Sequence, residues 1–136
     1  YQKSKTGALF VASVRAGALA CGQDEQPWSL FGESLGHAYQ VADDIRDVIG
    51  QSAALGKPAG QDQLLGRPNA MAALGLEGAL THFEGLMNRA IQSVPHCACR
   101  DMLQHLVRLE SQRLIPADLH TQVAATRTSV ASALHR

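Results

Sequence analysis

The 136-residue chain has few aromatic side chains: one tryptophan, two tyrosines and three phenylalanines, 4% of the total. Sheets draw on aromatic and β-branched residues. This scarcity, beside plentiful alanine, leucine and glycine, therefore points to closely packed helices. Net charge is also missing. Twelve basic and twelve acidic side chains cancel, which removes the global field that would gather nucleic acid or an anionic membrane. No apolar run approaches the roughly 18–20 residues that span a bilayer. The three cysteines are an odd number with no paired framework, which argues for a reducing cytoplasm rather than secretion. Tyr1-Gln2-Lys3 is neither an initiator methionine nor the start of a signal peptide. The expectation is a chain that begins inside something larger, folded as one domain with enough residues to bury a core.

The apolar pattern then sets out the elements. From about Ser4 to Cys21 apolar residues recur almost all round, interrupted only by Ser13 and Arg15, which predicts a helix buried on nearly every side. Gly22 is its stop, and Pro27 suits the first turn of a second helix over about 28–49. Gly50 to Pro68 holds four glycines and two prolines and no helical period, so it reads as a long loop. Its Lys57, Gln61, Asp62 and Arg67 favour a lid over a plain linker. Asn69 can cap a third helix over about 70–93, with Met71, Leu74, Leu76, Leu80, Phe83, Leu86, Met87 and Ile91 as core. A fourth, over 100–114, has Leu103, Leu106, Val107, Leu109 and Leu114 as its apolar residues, and Pro116 ends it. Residues 117–136 read as a marginal helix or frayed tail.

Within the second helix, Tyr39-Gln40-Val41-Ala42-Asp43-Asp44-Ile45-Arg46-Asp47 carries the chemistry. At about 100° per residue from Asp43, Asp47 falls near 40°, Gln40 near 60° and Asp44 near 100°. Phe31, Leu35, Ala38, Val41, Ala42, Ile45, Val48 and Ile49 fill the opposite sector, so one side is buried and the other presents three carboxylates and a carboxamide. Asp43 and Asp47, one turn apart, repel by roughly 0.2–0.5 kcal/mol on a wet helix and by about 4 kcal/mol at 4 Å in a cleft with an effective dielectric near 20. A divalent cation reverses that sign, and Mg²⁺ prefers one or two carboxylates, waters and phosphate oxygens. One reading is a Mg²⁺ platform for a phosphorylated ligand. The other is a solvated acidic face on which Arg46 neutralises Asp43.

Other candidates are weaker by themselves. Lys5-Thr6-Gly7 opens the first helix, where free N–H groups, a lysine and a hydroxyl could hold an anion, or where Thr6 simply caps. Lys57 lies between glycines that would let it swing over a phosphate. His96-Cys97-Ala98-Cys99 cannot wrap a tetrahedral zinc ion without a second ligand pair, so its thiols read as small, half-buried side chains. Cys21 reads as core packing. His37, His82, His105, His120 and His135 lie scattered, giving a hydrolytic triad no support.

In this order and at these spacings, Lys5-Thr6-Gly7-Ala8-Leu9, the Tyr39–Asp47 stretch and Leu55-Gly56-Lys57-Pro58-Ala59-Gly60-Gln61-Asp62 resemble the trans-polyprenyl diphosphate synthases. Gly66-Arg67-Pro68-Asn69-Ala70, Leu74-Gly75-Leu76 and Leu106–Leu114 are similar more narrowly to bacterial geranylgeranyl diphosphate synthases of carotenoid and photosynthetic-pigment pathways. The resemblance runs from about Lys3 to Leu114 and corresponds to the C-terminal part of such an enzyme. It implies part of an all-α orthogonal helical bundle, commonly homodimeric. It also implies a Mg²⁺-dependent transfer of an allylic group from its diphosphate to isopentenyl diphosphate.

On that resemblance Asp43, Asp44 and Asp47 hold Mg²⁺ against the allylic diphosphate. Lys5, Thr6 and Gln40 contact the diphosphate and the nascent cation, and Lys57 closes over the leaving group. Gln61 stands where many relatives have lysine. The first aspartate-rich motif and the arginine-lysine site for isopentenyl diphosphate are absent from the chain. The implied reading is a fragment, a truncated product or half of a split enzyme, inactive alone. Rival readings are a non-catalytic partner subunit, a terpene cyclase and a simple helical interaction module.

Overall fold

A computed structural model describes residues 2–55 and 70–135. Lys57, Gln61, Asp62, Arg67 and the Asn69 cap lie outside these residues. The elements are α1 (Gln2–Ala20), a short 3₁₀ turn (Gln26–Trp28), α2 (Ser29–Leu55), α3 (Ala70–Gln92), α4 (Arg100–Leu114) and α5 (Ala117–Leu134). Among the described residues there is no strand, and the all-α expectation holds. No helix among them is long and apolar enough to cross a membrane.

α2 lies between α1 and α3, and α3 in turn carries α4 and α5. The predicted apolar sector of α2 is the buried one: Phe31, Ala38, Val41, Ala42, Ile45 and Val48 are all buried, Leu35 and Ile49 partly so. From α3, Ala79, Leu80, Phe83, Leu86, Met87 and Ala90 meet them in a single core, closed by Val107, Leu114, Ile115 and Val123. Alanines at fully buried positions on both α2 and α3 leave little side chain between the helices, which permits a close approach.

α1 ends as its sequence directs. Gly22 adopts φ +69°, the Gln23 N–H donates to the Ala18 carbonyl at 2.9 Å and the Gly22 N–H to the Leu19 carbonyl at 3.0 Å. This is the paired Schellman closure, which requires a left-handed residue and so suits glycine. α2 runs past Gly50 to Leu55, taking in part of the expected loop. One interior glycine weakens a helix by only about 1 kcal/mol, and the alanines and leucine that follow favour continuation. α3 is not one straight helix: Gly75, at φ +70° and ψ +175°, breaks it.

Two burial expectations fail. The pattern of α1 predicts burial all round, yet Leu9 is 65% and Leu19 58% exposed, and among the described residues of α1 only Ala18 is buried. Its main neighbours among the described residues are α2 and the 3₁₀ turn, which cover one side of a helix whose pattern would suit several. Cys21 is exposed rather than core, because it lies beyond α1, in the turn that closes it. On α4, Leu106 and Leu109 are exposed together with Met102. Only the Val107–Leu114 side of that helix meets the core.

Candidate active site

The site starts from a close crossing of two helices. A methyl group built on Gly32 would lie 2.9 Å from the Val11 Cα, and one on Gly36 3.4 Å from the Gly7 Cα. Two glycines four residues apart on α2 thus let α1 press backbone against backbone. One turn further along α2, the ring of Tyr39 meets Phe10 with centroids 5.0 Å apart. As numbers rise on α2 they fall on α1, so the two helices run antiparallel. This register brings the beginning of α1, with exposed Lys5 and half-buried Thr6, alongside the part of α2 that carries half-buried Gln40.

Along that part of α2, Asp43 and Asp47 are exposed and Asp44 is half-buried. Arg46 donates to the Asp43 carboxylate, the neutralisation expected for a plain acidic face. The two side chains are 42% and 57% exposed, and such pairs contribute only about 0–1 kcal/mol, so a stronger partner could displace Arg46. Among the described residues, no three His, Cys, Asp or Glu side chains cluster closely enough to hold a metal ion. At helical positions i, i+1 and i+4 only two carboxylates stack, and the third points about 100° away. Asp43 and Asp47 nevertheless form an oxygen-only pair open to water. That suits Mg²⁺, which takes one or two carboxylates and completes its shell with water and phosphate oxygens.

Beside this face is a polar brace that sequence reasoning missed. The Tyr39 hydroxyl donates to Glu110 of α4, and Arg113 donates to the same carboxylate through both Nε, at 2.9 Å, and an Nη. The Arg113 and Tyr39 hydrogen bonds hold Glu110 at a pKa of about 2 against burial, and Arg46 adds its field. Burial, then the bond to Glu110, raises Tyr39 above the ordinary phenol value. The Glu110–Arg113 half was legible as an i, i+3 pair. The link to Tyr39, 71 residues away, was not.

Because Glu110 is depressed in the folded chain, its contribution is complete above the unfolded carboxylate value and fades as pH falls from about 4.5 toward 2. Glu110→Gln is expected to lower stability near neutral pH by about 1 kcal/mol, given a side chain still 28% exposed and partly screened. The variant's unfolding free energy should also fall less steeply between pH 4.5 and 2. Urea titrations at pH 7, 4 and 3 check both; parallel losses in the two proteins would remove the brace.

The comparisons with known proteins decide the family. The family model described as Polyprenyl synthetase matches residues 1–108. The chain belongs to the polyprenyl synthetase family. It is 42% identical over 123 residues to a geranylgeranyl diphosphate synthase of Cereibacter sphaeroides, covering 90% of this chain and 43% of that protein. Over 119 residues it is 42% identical to a geranylgeranyl diphosphate synthase of Rhodobacter capsulatus, covering 86% and 41%. Over 101 residues it is 46% identical to the farnesyl diphosphate synthase of Escherichia coli, covering 71% and 33%. This polyprenyl synthetase chain thus spans less than half the length of the curated relatives it matches. No solved structure matches it.

Proposed function

We propose that this chain is the diphosphate-binding part of a prenyltransferase that condenses isopentenyl diphosphate with an allylic diphosphate. The product is a short-chain isoprenoid diphosphate of the geranylgeranyl class. One observation supports the reading: the antiparallel crossing at Gly32 and Gly36 directs the beginning of α1 toward the part of α2 that leads into the Gln40–Asp47 stretch. The first turns of α1, which carry Lys5 and Thr6, and the carboxylates of α2 thereby share one end of a helix pair. Family membership and the geranylgeranyl and farnesyl diphosphate synthases among the relatives support the substrate class.

In this mechanism the Lys5 ammonium and the Thr6 hydroxyl, at the positive end of α1, bind and orient the allylic diphosphate. Asp43 and Asp47, with Asp44 beside them, would hold Mg²⁺. Bound there, the ion supplies neutralisation of the charge that develops on the leaving diphosphate. The Gln40 carboxamide oxygen faces the electron-poor allylic carbon as the C–O bond breaks, a dipole fixed before the charge appears. Lys57 is assigned to closure over the diphosphate. The Tyr39–Glu110–Arg113 brace fixes the rotation of α2 and so the direction of its carboxylates. The parent protein acts in the cytoplasm as a homodimer, or with the part of the synthase that this chain lacks.

A chimera tests the proposal. The matching C-terminal part of the Cereibacter sphaeroides synthase is replaced by this chain, and product is followed with radiolabelled isopentenyl diphosphate and an allylic diphosphate. Turnover that requires Mg²⁺ and stops without either diphosphate is the expected result. A folded chimera that releases hydrocarbon from farnesyl diphosphate alone would instead identify a terpene cyclase. A folded chimera with no turnover of either kind would leave the non-catalytic subunit reading in its place.

A further inference from the structure

Cys21 is far in sequence from Cys97 and Cys99, yet all three cysteines line one cavity. It has a volume of about 530 Å³ and is walled by Trp28, Phe31 and Leu103 as well as by Cys21, Cys97 and Cys99. Phe31 and Asp43 are twelve residues apart on α2, about 18 Å along its axis, so this cavity is separate from the carboxylate face. The Cys97 and Cys99 sulfurs are in contact at 3.8 Å. That contact raises the Cys99 thiol above its ordinary value, with a smaller influence from Cys21.

The segment between α3 and α4 that carries the pair is pinned at both ends. The Arg100 side chain donates to the Val94 carbonyl at 2.9 Å, and the Arg100 and Leu103 N–H groups donate to the carbonyls of Cys97 and Cys99.

We propose that Cys97 and Cys99 are a dithiol modification site that is converted reversibly to an internal disulfide by exchange with a small-molecule disulfide of the glutathione class. The thiolate of one cysteine attacks the glutathione disulfide, forming a mixed disulfide and releasing one glutathione. The second cysteine then attacks the protein-side sulfur, forming the Cys97–Cys99 bond and releasing the other glutathione. The two protein thiols lose two electrons and two protons, and the glutathione disulfide gains them as two thiols. The second step is fast because the attacking sulfur is already in contact, and excess reduced glutathione runs the sequence backwards. The bridge would lock the segment between α3 and α4 against the end of the cavity and leave the carboxylate face untouched.

The test incubates the reduced 136-residue chain with glutathione disulfide, quenches with acid, alkylates the remaining thiols and maps the peptides by mass. The expected product has lost two hydrogens, carries no glutathione, contains a Cys97–Cys99 bridge and keeps Cys21 alkylated. In Cys97→Ser and Cys99→Ser the mixed disulfide should persist, at least about tenfold more abundant than in the unaltered chain. Stable glutathione on Cys97 or Cys99 of the unaltered chain, a bridge that includes Cys21, or three thiols left reduced would each overturn the proposal. The decisive mapping uses the unaltered chain, so it does not depend on either variant folding.

Discussion

Gly32→Val is expected to lower the unfolding free energy by about 3 kcal/mol, a large share of the roughly 5–15 kcal/mol that holds a typical domain together. The reason lies in what a side chain would meet. Its first carbon would sit 2.9 Å from the Val11 Cα and 3.2 Å from the Phe10 carbonyl oxygen. Those are backbone atoms, which cannot rotate away as a flexible side chain would, so α1 must shift as a unit. Phe10 then leaves Tyr39, and the start of α1 leaves the carboxylate face. Gly32→Ala isolates the first carbon: it gains about 1 kcal/mol in helix propensity but meets the same contact, for a net loss of about 1–2 kcal/mol. Gly85→Ala is the control, an exposed glycine inside α3 with nothing within 4 Å of its added methyl. It should raise stability by about 0.5–1 kcal/mol. Urea unfolding of the three variants checks the set. A Gly32→Ala protein as stable as Gly85→Ala would mean that the two helices do not touch there.

The parts of this architecture that are periodic were legible before any coordinates. α2 buries the sector its sequence assigned, from Phe31 to Val48, because a 3.6-residue repeat fixes which side chains share a face whatever the partner is. The same logic gave α4 its limits at Arg100 and Leu114, and Gly22 its role at the end of α1. Periodicity says nothing of how many sides find a neighbour. Leu9 and Leu19, expected inside, are therefore exposed, as are Leu106 and Leu109 on α4. Contacts between distant segments were also hidden: Tyr39 with Glu110, and Cys21 beside the Cys97–Cys99 pair, depend on how helices cross. The glycine crossing held a clue that sequence reading passed over, since Gly32 and Gly36 are spaced to fall on one face of α2. The candidate site itself was found by the order of its motifs. The structure adds the register that puts Lys5 and Thr6 near Gln40, while Lys57 lies outside the described residues.

Replacing Asp43 and Asp47 together with asparagine, in the chimera described above, is expected to lower kcat/KM by at least about a hundredfold. Asparagine keeps the size of the side chain and an oxygen donor but removes the charge. The loss therefore falls on the ability to hold a divalent cation against a diphosphate rather than on packing. Stability should move little. The substitution relieves a like-charge pair worth roughly 0.2–0.5 kcal/mol while giving up the exposed Arg46–Asp43 contact, itself worth about 0–1 kcal/mol. That separation is what makes the measurement discriminating. If these acids formed only a solvated surface, the double variant would match the parent in turnover and differ by a few tenths of a kcal/mol in stability. If they bind the ion, the remaining activity should need much more Mg²⁺ to reach half-maximal rate, and calorimetric binding of an allylic diphosphate should lose its Mg²⁺ dependence. Arg46→Ala sharpens the contrast. Freeing Asp43 from its ion pair should leave the Mg²⁺ requirement unchanged or lower, because the arginine competes with the cation for the same carboxylate.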